Sequence, residues 1–254
     1  MTRALRFDPV PGLPMIRPGD DLARLTANAL AQAGLELAGG DIVCVAQKIV
    51  SKAEGRSIPL AGVQPGPEAI RLARETEKDP RLVQLILDES TEVMRQRPGV
   101  LIVRHRLGFV CAHAGVDQSN IEHGDGECAL LLPADPDASA AGLRERFRAL
   151  TGASVGVLIT DSHNRPWRLG TVGTAIGASG MGVLDDRRGT ADLYGRELKV
   201  TLSNRADAVA AAATLLMGET TERIPVVIAR GVAPLESDDT ARSINRPLEE
   251  DLFR

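Results

Sequence analysis

Short apolar runs bounded by glycine and polar residues alternate along this chain with stretches of helical periodicity, and two of the runs stop at an aspartate. Residues 110–116 end at Asp117, inside Ala114-Gly115-Val116-Asp117-Gln118-Ser119-Asn120, and residues 155–160 end at Asp161-Ser162. A short apolar run without polar alternation reads as a strand buried on both faces, so the pattern calls for a sheet covered by helices. A carboxylate just past the end of such a strand lies at the sheet rim, where α/β proteins hold their ligands. Two such carboxylates can share a hard divalent cation, which takes one or two of them and completes its shell with water and substrate phosphate. Taken singly, each aspartate serves equally well to begin a turn or cap the next helix.

Asp20-Asp21 opens an amphipathic helix with Leu22, Leu25, Ala29 and Ala33 on one face and Gly34 at its end. Residues 42–46 read as a strand. Asp79-Pro80 supplies N-cap and first-turn chemistry, and Leu82, Leu85, Ile86, Glu89 and Val93 extend that helix to about Arg95. Residues 100–104 and 109–116 are successive strands, paired as a hairpin through 105–108. Asp135-Pro136 repeats the helix start and leads through Ala140, Leu143, Phe147 and Leu150 to Gly152. Residues 198–202 read as strand, 206–217 as an alanine-rich buried helix, and 224–229 as the last strand. The expected fold is α/β or α+β with mixed strand pairing. Residues 1–234 form one unit, divisible into two interleaved subdomains, and 235–254 form a charged tail or arm.

At 254 residues, 43% hydrophobic and 25% charged, the chain can bury a large core. A net charge of −4 with one Trp, one Tyr and four Phe provides neither a basic footprint nor a stacking platform, which argues against nucleic acid as a partner. No segment has the length and apolarity of a membrane span, and Met1-Thr2-Arg3-Ala4-Leu5-Arg6 runs into Pro9 and Pro11 without the core of a secretory signal. A cytoplasmic protein without membrane partners is expected. Cys44, Cys111 and Cys128 are odd in number and lack C-x-x-C spacing, so they read as reduced thiols, the first two as core residues.

Only four of the 30 cationic residues are lysines, and Lys48 and Lys52 both fall in residues 47–55, directly after the strand 42–46. Compact ammonium charges at a strand end suit phosphate oxygens; a solubilising exposed turn is the alternative. The chain has no G-x-x-x-x-G-K-[ST] loop, so any nucleotide must be held by dispersed segments. Residues 170–180 are glycine-rich but carry no G-x-G-x-x-G, and their glycines point to close packing or tight backbone approach. His105, His113, His123 and His163 have no zinc-like spacing with the cysteines; His163 stands out by lying two residues past Asp161.

Seven strings then occur in one order: Gly12-Leu13-Pro14-Met15-Ile16 with Gly19-Asp20-Asp21; residues 47–55; residues 115–120; Leu132-Pro133-Ala134-Asp135-Pro136-Asp137-Ala138-Ser139; Thr160-Asp161-Ser162; Arg165-Pro166-Trp167-Arg168; and Gly218-Glu219 with Ile224-Pro225-Val226-Val227. Over about residues 13–231 this order resembles the gamma-glutamyl ligases of the deazaflavin coenzyme F(420). The resemblance implies a GTP-dependent enzyme that joins L-glutamate to the lactyl carboxylate of the coenzyme precursor through an acyl phosphate. It implies further gamma-linked glutamates, an intertwined homodimer, two Mg2+ or Mn2+ ions, and stimulation by K+. By the same resemblance Asp117, Asp161 and Lys52 are catalytic, and Asp117 and Asp161 hold the first metal with Ser162 and Glu219 near the second. Asn120 and Lys52 contact the nucleotide, joined by Gln47, the turn Leu13-Pro14-Met15-Ile16, and the loop of Met217, Gly218, Glu219 and Thr220 that runs to Glu222. Trp167 either stacks on the deazaflavin ring, with Arg168 near an acidic group, or belongs to the core.

Some positions depart from the family pattern. Arg223 stands where a small residue, often Gly, precedes Ile224-Pro225; Thr221 replaces an acidic residue; His163-Asn164 precede Arg165 where Gly is usual; and residues 122–127 form a slightly long acidic loop. These bear on loop shape and nucleotide preference and remove no metal ligand. Two other readings compete: a metal-dependent phosphatase with Asp161 as nucleophile, which would need a carboxylate where His163 stands, and a non-catalytic deazaflavin or nucleotide carrier.

Overall fold

The computed structural model describes residues 4–124, 126–164, 166–232 and 237–252. Arg165, Asp125, the first three residues, and the expected start of the tail at Leu235 lie outside the described residues.

In chain order the elements are β1 (Arg6–Pro9), α1 (Leu22–Gln32), β2 (Ile42–Ala46), α2 (Gln47–Ala53), β3 (Ser57–Pro59), α3 (Pro67–Thr76), α4 (Pro80–Asp88), β4 (Ser90–Arg97), β5 (Val100–His105) and β6 (Val110–Ala112). They continue with β7 (Cys128–Leu130), α5 (Pro136–Thr151), β8 (Gly156–Asn164), β9 (Thr171–Ser179), β10 (Leu184–Asp186), β11 (Leu202–Asn204), α6 (Arg205–Met217) and β12 (Val226–Arg230). One sheet has the order β1-β12-β2-β8-β9, with β2 and β8 parallel and the other pairs antiparallel. The fold is therefore mixed α/β, as the patterning predicts.

Apolar runs form the centre of this sheet because both of its faces are covered. Side chains alternate along a strand, so Val43, Val45, Val157, Ile159, Val226 and Ile228 pack with Leu22 and Leu30 of α1 and Phe147 of α5. Ile42, Cys44, Leu158, Val227 and Ala229 turn the other way, onto Val209, Ala210 and Ala213 of α6. Burial pushes the Cys44 thiol up to about 12, in keeping with an inert core residue.

The glycines of residues 170–180 fulfil the packing role expected of them. A Cβ on Gly177 would lie 2.3 Å from the Pro136 carbonyl oxygen, and one on Gly173 would lie 2.6 Å from that of Ala210. Two glycines four apart ordinarily face the same way, yet these face α5 and α6 on opposite sides. The β8–β9 register shifts between Ile159↔Gly177 and Thr160↔Ala175, which leaves Ile176 as an extra residue and reverses the alternation.

A second, smaller unit has its own core. Strands β4-β5-β6 form an antiparallel sheet covered by α3 and α4, and Leu72, Val83, Ile86, Leu101 and Val103 fill the space between. The hairpin expected through residues 105–108 is the β5–β6 connection. Asp79 and Asp135 each accept a backbone N–H at the starts of α4 and α5, as their sequence predicts.

The structure corrects several expected boundaries. The helix begun at Asp79 ends at Asp88, and β4 occupies the stretch to Arg97. The carboxylate of Glu89, at the junction, is drawn inward by Arg56 at 2.9 Å and Arg106 at 3.0 Å, and the following Val93 pairs with Val103. Residues 109–116 are not one strand: β6 stops at Ala112, and His113, Ala114 and Gly115 have φ of 55°, 52° and 64°. That left-handed turn stops the ladder, so Asp117 follows a turn and not a strand. Conversely β8 runs on to Asn164, which places Asp161 within it. Because β2 ends opposite Thr160, Asp161 is the first residue of β8 to lose its neighbour on that side, and in this sense it is at a rim. Lys48 and Lys52 belong to helix α2, not to a turn. The strand expected at 198–202 is displaced to β11, while Leu198 closes a loop onto Thr190. Among the described residues no helix is long and apolar enough to cross a membrane.

Candidate active site

α2 begins at the residue after β2 ends, so the parallel strand delivers a helix N-terminus directly to the sheet rim. On α2 the spacing of four residues puts Lys48 and Lys52 on one face. Lys48 Nζ meets Asp117 Oδ2 at 2.7 Å, Ser119 Oγ at 2.9 Å and the Ser119 carbonyl at 3.0 Å. Lys52 Nζ donates to the Asn120 carbonyl at 2.7 Å. Two lysines of the large unit therefore hold the loop that leads out of the small one. Burial, reinforced by neighbouring Lys48, lowers the affinity of Lys52 for its proton, and Glu122 opposes the shift. For Asp117 burial pushes the other way, but the Lys48 ammonium and the Ser119 N–H hold the carboxyl below its ordinary value.

Asp117 is fixed at its backbone by a two-way bridge to Leu130, at 3.0 and 2.8 Å. Gly115 makes the approach possible: a Cβ there would fall 2.8 Å from Leu132. Asn120, with φ of 54°, turns its carbonyl toward Lys52.

Across the cavity, Ser162 Oγ donates to Glu219 Oε1 at 2.7 Å, tying β8 to the loop after α6. Asp161 Oδ2 lies 2.8 Å from His163 Nε2, and His163 Nδ1 lies 3.1 Å from Thr174 Oγ1. His163 is almost fully buried, so it acts as a brace for Asp161. Gly218, with φ of 71°, ends α6, and Glu222 folds back to accept the Thr220 N–H at 2.9 Å. Arg223 has φ of 56°, a left-handed backbone where a small residue is the easier choice.

Together these segments enclose a cavity of about 600 Å³. Leu13, Pro14, Met15, Ile16, Gln47, Lys52, Asn120, Asp161, Ser162, Met217, Gly218, Glu219 and Thr220 all line it. Asp117 is not in the lining; it stands behind Lys48, which is. Lys48 thus joins Asp117 to the cavity that Asp161 lines, and the pairing of lysines at 48 and 52 is the sequence signal for it. Thr160, from the string Thr160-Asp161-Ser162, and Thr214 also face the cavity, and nothing in the sequence marks Thr214. Trp167 is 88% exposed and is not a core residue.

Among the described residues no three His, Cys, Asp or Glu side chains converge as a closed metal cage. The donors at the cavity include the carboxylates of Asp161 and Glu219 and the hydroxyl of Ser162, with Glu122 and Glu222 also in the lining. Such hard oxygen ligands fit a divalent cation that draws its remaining ligands from water and phosphate.

Comparison with known proteins covers nearly the whole molecule. Residues 12–231 match the model of the F(420)-0:gamma-glutamyl ligase family. A coenzyme F(420):L-glutamate ligase of Methanopyrus kandleri is 49% identical over 98% of both chains. Proteins of the same name from Methanothermobacter thermautotrophicus and Archaeoglobus fulgidus are each 44% identical, over 96% and 97% of this chain and 97% and 95% of their own. With its dispersed loops gathered at one rim and this likeness along its length, the chain belongs to the F(420)-0:gamma-glutamyl ligase family.

Proposed function

We propose that this protein uses GTP to join L-glutamate to the carboxylate of a coenzyme F(420) precursor through an acyl phosphate. A carboxylate resists an amine because it is anionic and has no leaving group. In the first step a carboxylate oxygen forms a bond to the γ-phosphorus as the β,γ-bridge breaks and GDP departs. In the second the glutamate amine bonds to the carbonyl carbon, phosphate leaves, and the amine releases its proton. Phosphoryl transfer asks the protein chiefly to position reactants and offset charge. The observation that carries this reading is one cavity lined by Lys48, Lys52 and Arg223, by the carboxylates of Glu122, Asp161, Glu219 and Glu222, and by the 13–16, 120–122 and 217–225 segments.

Within it, Lys48 and Lys52, with Arg223 at the loop after α6, are the cations available to phosphate oxygens, and the Leu13 to Ile16 turn and the Met217 to Thr220 loop form further walls. Asp161, Ser162 and Glu219 would hold a divalent ion, with Asp117 joining once Lys48 turns to phosphate; bound Mg2+ or Mn2+ supplies charge neutralisation. The brace from His163 keeps the Asp161 carboxylate aimed. We also infer a homodimer, supported by Leu193, Tyr194 and Val200, which are 97, 95 and 86% exposed on one segment. Sedimentation tests it.

The deciding experiment is incubation of the pure protein with GTP, Mn2+, K+, L-glutamate and the precursor, followed by mass measurement. A glutamate-sized gain with GDP release is the expected result. Orthophosphate release without the conjugate indicates hydrolysis instead, and unchanged ligands indicate a carrier.

A further inference from the structure

Strand β8 separates two cavities, and only one of them is accounted for by the nucleotide. Asp161 and Ser162 line the first, whereas His163 and Asn164 line a second of about 650 Å³. The link between them is the 2.8 Å contact of His163 Nε2 with Asp161 Oδ2. We propose that the second cavity binds the acid to be glutamylated, an anion attached to a flat aromatic ring system, and delivers its carboxylate to the β8 segment at Asp161. This proposal rests on the ligase reading above and adds a binding site to it.

Three observations support it. First, an acid that meets the terminal phosphate of a nucleotide has to approach from a side the nucleotide leaves open, with reacting atoms within about 3.5 Å. The second cavity opens onto the same strand from another direction. Second, its size suits a cofactor-sized ligand, and its walls are amphipathic. Phe109 lies 5.2 Å from His163, tilted by 40°, and the buried His105, outside the lining, stacks on Phe109 at 5.2 Å and 7°. With Ile102 and Ile176 alongside, this wall offers a flat ring both apolar area and aromatic edges.

Third, the C-terminal segment brings two guanidinium groups to a cavity whose other charged lining residues are Arg95, Arg104, Asp137, Asp207 and Asp251. Arg242 and Arg246 line the cavity and form no ion pair with a carboxylate among the described residues. Guanidinium groups recognise carboxylate and phosphate with paired N–H donors. They are carried by the C-terminal segment, which is anchored there: the Ala241 N–H donates to Asp137 Oδ1 at 2.8 Å, and Asn245 Nδ2 donates to the Leu107 carbonyl at 2.9 Å. Gly108, with φ of 100°, lets Asn245 lie where a Cβ would come within 2.8 Å of its amide nitrogen. The charged arm read from the sequence is therefore, over residues 241–246, a wall of this cavity.

The test follows the fluorescence of the coenzyme precursor titrated with full-length protein in the presence of GDP and Mg2+. Two variants block the cavity by different means: the double charge reversal Arg242→Glu/Arg246→Glu, and Ile102→Trp, which fills it. GDP affinity, by calorimetry, is the control for the first cavity. The expected result is precursor binding by the wild-type protein, weakened about tenfold or more in each variant, or 1.4 kcal/mol, with GDP affinity unchanged. Because the arginines are exposed, the reversal reports on binding even where Ile102→Trp disturbs folding. Normal precursor affinity in the double variant, or displacement of bound precursor by GDP, would overturn the proposal. If the variants bind normally while the wild type still makes the conjugate, the site is wrong and the ligase reading stands. If the wild type binds the precursor in this cavity yet forms no conjugate, the reverse holds.

Discussion

Asp161 lies inside a strand paired with β9 from Val157 to Asn164, and its carboxylate is braced by a buried histidine. Asp117, by contrast, follows three residues in left-handed conformation, and both its oxygens are engaged by Lys48 and Ser119. One acid is positioned by ladder hydrogen bonds that cost nothing to maintain. The other is positioned by an ion pair that has to outweigh backbone strain of roughly 1 kcal/mol or more at each of His113 and Ala114. The large sheet thus presents a fixed group, and the smaller unit presents one whose partner can be exchanged, since under the proposed function a phosphate would compete with Asp117 for Lys48.

The largest effects test that difference directly. Asp161→Asn and Asp117→Asn should each lower turnover about a hundredfold or more, as loss of a preorganised electrostatic partner does. Their nucleotide affinities without divalent metal should diverge. Asp117→Asn releases Lys48 to the phosphates and should bind more tightly than wild type, whereas Asp161→Asn should not. Near-normal turnover in either variant, or identical affinities in both, breaks the comparison.

The two regions also differ in how they use glycine. Gly177→Ala places a methyl group against backbone, the Pro136 carbonyl at 2.3 Å, which neither α5 nor β9 can easily vacate. A cost of about 3 kcal/mol is expected, the upper end for overpacking, read as a lowered urea midpoint. Gly115→Ala meets a side chain, Leu132, that can rotate, and it adds strain of about 1 kcal/mol for its positive φ. Equal losses in the two would mean that the sheet yields as readily as the turn.

This contrast also explains what the sequence reveals. The central strands, the Asp79 and Asp135 helix starts, and the string at 160–162 are local signals: apolar runs, caps, and a carboxylate at the end of a run. The reading fails where a tertiary contact decides. Glu89 and Val93 continue a helical stripe on paper, but Arg56, distant in sequence, draws in the Glu89 carboxylate and the chain turns into β4. The apolar run to Val116 hides a turn because Ala114 tolerates a conformation its neighbours impose. The residues of the cavity come from segments spread over most of the chain, and only the resemblance of ordered strings joins them. Lys48 shows the limit: its type and position are conspicuous, but its grip on Asp117 depends on how the two units pack.

Glu89 gives a prediction for that junction. Burial alone would raise its carboxyl, but the His105 ring 3.5 Å away and the charges of Arg106 and Arg56 outweigh it and bring the group down to about 2 from the usual 4.5. A carboxyl depressed in the folded state adds stability above its unfolded value, and that stability disappears as pH falls. Urea midpoints should therefore hold steady down to about pH 4.5 and then decline toward pH 2. In Glu89→Gln the neutral starting stability should be lower and this part of the acid decline should be missing. An unchanged acid limb in that variant would show that the junction contributes nothing to it.

The smallest effect asks whether the two units unfold together. Asp79 caps α4 in the small unit by accepting the Arg81 N–H at 2.8 Å, and Asn204 caps α6 in the large one by accepting that of Asp207 at 2.9 Å. Replacing either by Ala should cost about 1 kcal/mol. If the lysine clamp makes the molecule one cooperative body, either variant lowers hydrogen-exchange protection equally in β5 and in β8. If the clamp is as exchangeable as the Asp117 loop suggests, Asp79→Ala lowers protection in β5 while β8 keeps its own, because local opening then follows the boundaries of the separate cores. Adding GDP with Mg2+ should restore β5 toward wild type only in the second case, since a ligand held by both units favours the state in which they are joined.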